Sequence, residues 1–157
     1  AVTHLELAAM FPLYTFVGIG AMIVAGGLID RLGTSRVLPF IQLPMIAAFL
    51  FFAVSEGPML LLAGFVMLAL TTGANSVVPN AFWAEFYGSA HMGAIKAMAA
   101  AIMVLGSAIG PGITGLALDL GVGIETQFVF IAVYFAFASG MMMLGVARAR
   151  PALSLPL

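Results

Sequence analysis

Asp30 and Arg31 stand side by side in the run Gly26-Gly27-Leu28-Ile29-Asp30-Arg31-Leu32-Gly33-Thr34-Ser35-Arg36, at the edge of a long apolar stretch. The chemistry open to such an acid–base couple is electrostatic: it can fasten two parts of a chain together and release them. As an ordinary exposed pair it is worth only ~0–1 kcal/mol. Glu85 can pair with Arg31 or Arg36 if the fold brings it to the same end. A second set is uncharged. Thr72, Ser76 and Asn80 fall at i, i+4 and i+8, so a helix places them on one face, and Asn75 at i+3 joins that broad face. Thr71 lies beside them. Polar side chains within an apolar span are costly and mark either a binding surface or helix-to-helix hydrogen bonds, and both readings stand for this stripe. Tyr14, Thr15 and Gln42 are weaker members of the same set.

Other chemistries find no residues. The chain has no Cys, which removes disulfides, thiolate metal sites and cysteine nucleophiles together. His91 has no second ligand at useful spacing, so it reads as a solvated interfacial histidine rather than a metal or proton-relay group. No His pair, His-Glu constellation or central carboxylate pair supports an intramembrane enzyme. No metal site or cofactor is expected. A formal net charge of −1 gives no basic patch for nucleic acid.

The elements that must position these residues are long and apolar. Of the 157 residues 64% are hydrophobic and 7% charged, with a mean hydropathy of +1.22. Water-soluble domains carry about 25% charged residues, so the bilayer is the expected solvent. Five runs reach the ~20 residues that a spanning helix needs: 7–29, 37–54, 59–82, 95–118 and 128–146. They are continuous rather than alternating, which excludes a β-barrel. The expected fold is an all-α integral membrane protein with five transmembrane helices, residues 1–150 forming the bundle and 151–157 a tail. Pro58 and Pro79 fall near the ends of these runs, whereas Pro12, Pro44 and Pro111 fall inside them. The start, Ala1-Val2-Thr3-His4, has no initiator Met, basic region or cleavage pattern, and reads as a chain that begins partway through a larger protein.

Charge orients the bundle. Threading the five spans puts Arg31, Arg36, Lys96, Arg148 and Arg150 on one side, with Asp30 and Glu85. Glu6, Glu56, Asp119 and Glu125 lie on the other side, with no Lys or Arg. Cytoplasmic loops retain Lys and Arg, so the C-terminus is expected in the cytoplasm. Trp83 sits beside Glu85, where an interfacial ring is favoured. Gly33 permits the reversal between the first two spans, and Thr34 or Ser35 is placed to cap the second.

The loop resembles the signature of the major facilitator superfamily, Gly-x-x-x-Asp-Arg-x-Gly followed by basic residues. That signature lies between the family's second and third helices and recurs in weaker form between the eighth and ninth. The match covers Gly26, Asp30, Arg31, Gly33 and Arg36, while Thr34 and Ser35 replace the usual basic pair. Gly106-Ser107-Ala108-Ile109-Gly110-Pro111-Gly112-Ile113-Thr114-Gly115 is similar to the Gly-Pro-rich fifth helix and its weaker copy in the eleventh. Gly106, Gly110 and Gly115 would let a partner helix approach closely, and Pro111 would bend the helix. Ala84 to Lys96, with Glu85, an aromatic-Gly turn and His91-x-Gly93, resembles the gap between the tenth and eleventh helices.

The resemblance implies that these helices match the eighth to the twelfth. The first helix of the C-terminal half and the entire N-terminal half would then lie outside this chain. It further implies a secondary active transporter moving a small solute by alternating access in a bacterial inner membrane. Gly26, Asp30, Arg31, Gly33, Arg36 and Glu85 would form a conformational latch. Thr71, Thr72, Asn75, Ser76 and Asn80, with Tyr14, would line the substrate cavity, as the family's tenth helix does. The loop pattern leans toward an organic anion or another metabolite over a drug/proton antiporter. No span has a charge at its centre, so a coupling proton or the counter-charge of an anionic substrate would be handled outside this chain. The alternative is a membrane module with structural duties only.

Overall fold

The computed structural model describes residues 4–88 and 90–153, with side chains over 7–88 and 90–148. Glu6 and Arg150, two of the charges that orient the chain, fall outside the described side chains, as do tail residues 154–157 outside the described backbone. Among the described residues six α-helices follow one another: α1 (His4–Leu32), α2 (Thr34–Val37), α3 (Leu43–Ala53), α4 (Pro58–Tyr87), α5 (Met92–Asp119) and α6 (Ile124–Leu153), with a 3-10 turn at Leu38–Phe40. No strand occurs among the described residues. Five stretches of the described residues are long and apolar enough to cross a membrane: Leu7–Leu32, Thr34–Ala53, Pro58–Tyr87, Met92–Asp119 and Ile124–Arg148. The protein is an all-α, multi-pass membrane bundle.

The helices outrun the apolar runs because nothing stops them at the membrane edge. Ala81 to Tyr87 contains no breaker, so α4 continues to Gly88 and Pro79 lies inside it rather than near its end. Likewise α6 runs to Leu153, and the first residues of the expected tail are helical. The second span is the opposite case. Pro39 and Pro44 both lack the N–H that a continuous ladder needs. The chain therefore passes through the 3-10 turn and restarts as α3, with Pro44 in its first turn instead of mid-helix. Nor does Thr34 or Ser35 cap α2; the cap position is Gly33, whose φ of 80° favours a residue without Cβ. The turn after α5 closes as a Schellman motif: Val122 N–H donates to the Ala117 carbonyl and Gly121 N–H to that of Leu118, both at 2.9 Å.

Packing falls into two levels. Toward the Arg31 end, Ala25, Val37, Leu38, Ile41, Ala74, Val78 and Val146 form the buried cluster, with Ile29, Phe82 and Met142 against it. Toward the Glu56 end the contacts are aromatic: Phe52 meets Phe65 at 5.6 Å and Phe128 at 5.8 Å, and Phe49 stacks on Phe135 at 6.0 Å. These rings join α3, α4 and α6, and Phe11 carries the layer on to α1. The α1–α4 pair is the closest approach. A Cβ on Gly73 would overlap the Gly18 carbonyl oxygen and come within 2.8 Å of Ala21 Cβ, so the two backbones meet directly there. By contrast, α5 has no buried residue and touches α4 and α6 sparingly. Its anchor is Gln127, buried at the start of α6, whose amide donates to the carbonyls of Val122 at 3.0 Å and Thr114 at 3.4 Å.

Candidate functional site

The stripe on α4 is a ladder of side chains bonded back to the preceding turn. Thr72 Oγ1 donates to the Leu68 carbonyl at 2.9 Å, Ser76 Oγ to the Thr72 carbonyl at 3.1 Å, and Asn80 Nδ2 to the Ser76 carbonyl at 3.1 Å. Such back-bonding is how Ser and Thr satisfy themselves within an apolar helix. From α1, Tyr14 Oη donates across to Thr72 Oγ1 at 3.0 Å. The Gly18–Gly73 contact sets the separation that this bond spans. A groove of about 210 Å³ lies over the contact, lined by Tyr14, Thr15, Gly18, Ile19, Met22, Thr72, Gly73 and Ser76.

Counting protons shows what this wall offers. The hydroxyl protons of Tyr14, Thr72 and Ser76 are all committed, while their oxygens keep lone pairs; Asn80 keeps its carbonyl and one N–H. The wall is therefore uncharged and rich in acceptors.

Asn75 is not on this wall. It turns to a second cavity of about 380 Å³ between α4, the 3-10 turn and α6, where it meets Gln42, Pro79 and Trp83. Gln42 Oε1 is buried there without a hydrogen-bond partner. Pro79 also withholds its N–H from the Asn75 carbonyl one turn below. Thr71 is fully buried and its hydroxyl unpartnered, so it faces the bundle rather than the groove. The expected five-residue stripe thus divides into Thr72, Ser76 and Asn80 on one face, Asn75 on another, and Thr71 in the core. A helix advances about 100° per residue, so an i+3 neighbour is displaced far enough for the α4 crossing to assign it elsewhere.

At the Arg31 end, Gly33 N–H donates to the Ile29 carbonyl at 2.8 Å and closes α1. Asp30, Arg31 and Arg36 are exposed. Among the described residues no Lys or Arg nitrogen lies within 4.0 Å of a carboxylate, so Glu85 pairs with neither Arg31 nor Arg36. Its carboxylate accepts a hydrogen bond from the buried hydroxyl of Thr34, which ties the last turn of α4 to the α1–α2 reversal. The residue read as a helix cap is in fact the tie, because Gly33 had already taken the cap position.

On α5, a Cβ added at Gly106, Gly110 or Gly115 would find nothing within 4 Å, so no described helix packs on that ridge. The helix passes Pro111 unbroken. His91 is exposed at the start of α5, without a side-chain cap. No cluster able to hold a metal ion occurs among the described residues. The groups that pattern reading missed are structural: Gln127, which no periodicity singles out, and the Gly18–Gly73 contact, whose glycines sit on different helices and carry no local signature.

No curated protein and no solved structure matches this chain. The sequence model of the Major Facilitator Superfamily matches residues 1–156, essentially the whole length. With five apolar spans and the Gly26–Arg36 loop in place, the chain belongs to the Major Facilitator Superfamily, a family of membrane transporters.

Proposed function

We propose that the chain forms helices eight to twelve of a secondary active transporter, a permease that moves a small solute by alternating access. The observation that supports this reading is the uncharged polar wall of Tyr14, Thr72, Ser76 and Asn80 beside the α1–α4 contact, which a second half-bundle would close into a cavity. Substrate sites of two-halved transporters lie near the midplane between repeats. The substrate presents hydroxyl or amine protons to this wall. Where it is also an organic anion, its counter-charge comes from the first helix of this half or from the N-terminal half, and so does any coupling proton. The Asp30–Arg31 loop acts as the latch of one conformation, engaging the other half while Glu85 and Thr34 hold its base. The basic loops and the C-terminus lie in the cytoplasm, by the positive-inside rule.

The test is uptake by the full-length protein in proteoliposomes, after a metabolite screen by thermal shift has identified a substrate. Ser76→Ala with Asn80→Ala should raise the apparent KM about tenfold or more, the scale of lost hydrogen bonds to a bound polar group. Asn75→Ala should change it far less. Unaltered KM in the Ser76/Asn80 variant would return the wall to a packing role.

A further inference from the structure

A cleft of about 720 Å³ runs between α1 and the arm formed by α2, the 3-10 turn and α3, floored by Leu70 and Ala74 of α4. Two features of the sequence open it. Small residues (Gly20, Ala21 and Ala25) line the α1 wall, and the interruption at residues 38–42 displaces the opposite wall. Every lining residue is apolar except one: Arg36, at the end where the basic residues gather. Arg36 is exposed, and no described carboxylate lies within 4.0 Å of it.

The cleft is long and narrow enough in its lining to suit a hydrocarbon chain lying along α1. Along α1 the cleft extends from Val17 to Leu32, roughly 22 Å at 1.5 Å per residue. One leaflet of the hydrocarbon core is about 15 Å deep, so the cleft reaches from the membrane surface past the level where one acyl chain ends. A guanidinium at the mouth with no described carboxylate beside it attracts an anion, and Arg grips phosphate oxygens through paired N–H bonds. Basic pockets between transmembrane helices on the cytoplasmic side take anionic headgroups for the same reason.

We propose that this cleft is a binding site for one anionic phospholipid of the leaflet on the Arg31 side, its acyl chain between α1 and α3 and its phosphate on Arg36. The site is separate from the α1–α4 groove and does not depend on the transport reading. Bound lipid would fill the gap left by the interrupted second span and brace α3 against α1.

The experiment is native mass spectrometry of the full-length protein in mild detergent, titrated with dioleoyl phosphatidylglycerol or dioleoyl phosphatidylcholine. The wild type should retain one phosphatidylglycerol about fivefold more tightly than phosphatidylcholine, the ratio expected from one basic residue at a membrane surface. Arg36→Gln should abolish that preference and Arg36→Lys should keep most of it. At Gly20 an added Cβ meets open space, so Gly20→Leu projects its side chain into the cleft and should lose both lipids. Equal retention of the two lipids by the wild type would overturn the proposal. So would an undiminished phosphatidylglycerol adduct in Gly20→Leu. If Arg36→Gln does not fold, Arg36→Lys and Gly20→Leu still decide the matter.

Discussion

Gly73→Ala should destabilise the bundle although alanine is the better helix former. Replacing an interior glycine by alanine favours a helix by ~1 kcal/mol when the methyl group meets open space. At Gly73 it meets the α1 backbone. Ordinary contact begins at 3.4 Å and Ala21 Cβ would stand at 2.8 Å, so α1 must retreat by roughly 0.6 Å there, and further at the Gly18 carbonyl. A carbonyl within a 29-residue helix cannot swing aside as a side chain can. Overpacking of this kind costs typically 1–3 kcal/mol; set against the propensity gain, a mid-range cost leaves a net loss of ~1 kcal/mol. The retreat also lengthens the 3.0 Å bond from Tyr14 to Thr72 one turn away. Gly20→Ala is the matched control on α1, since nothing lies within 4 Å of its added Cβ. Thermal unfolding in one detergent, followed by far-UV circular dichroism, should place Gly73→Ala several degrees below wild type and Gly20→Ala at or above it. Equal melting temperatures for the two variants would refute a backbone-level α1–α4 contact.

Thr34→Val keeps the shape of the side chain but removes the donor to Glu85; it should cost about 1 kcal/mol and increase proteolytic cleavage in the α1–α2 reversal. Gln127→Leu leaves the carbonyls of Val122 and Thr114 without their amide donor; hydrogen exchange should rise at the C-terminal end of α5 while α1 and α4 keep their protection. Asp30→Asn, in the full-length protein, should impair flux while leaving membrane insertion intact, because Asp30 is exposed and makes no ion pair with a described residue. Unchanged flux would remove the latch from the mechanism.

Spans were legible in the sequence because the bilayer imposes a length and a composition on each of them, and any window long enough reveals both. Their ends were less legible. Hydropathy falls away at Glu85, but backbone hydrogen bonding does not, so α4 carries on to the first glycine, Gly88. The effect of each proline was less legible than its presence. Pro39 and Pro44 act together on a short span and interrupt it, whereas Pro111 leaves α5 continuous. The polar stripe of α4 was visible from its spacing, yet which of its members share a wall depends on where α1 crosses. That crossing is fixed by Gly18 and Gly73, 55 positions apart, and a single sequence gives no sign that they meet. Thr34 illustrates the same limit: a hydroxyl beside a turn has a local use as a cap, and a distant carboxylate displaced it.

The unequal burial of the helices follows from the solvent. In water, a helix exposing Met98, Ile102, Met103, Val104 and Ile113 at more than 60% each would collapse onto the bundle. In lipid that drive is absent, and association depends on close backbone packing and interhelical hydrogen bonds. The α1–α4 pair has both, through Gly73 against Gly18 and Tyr14 against Thr72. α5 has one end fastened by Gln127 and a glycine ridge with no described neighbour. The described bundle is therefore a firm core of α1, α3, α4 and α6 carrying a loosely attached α5. Because α1 and α4 are locked at a backbone contact, a change of conformation would carry them together, and the acceptor wall that they share would move as one piece.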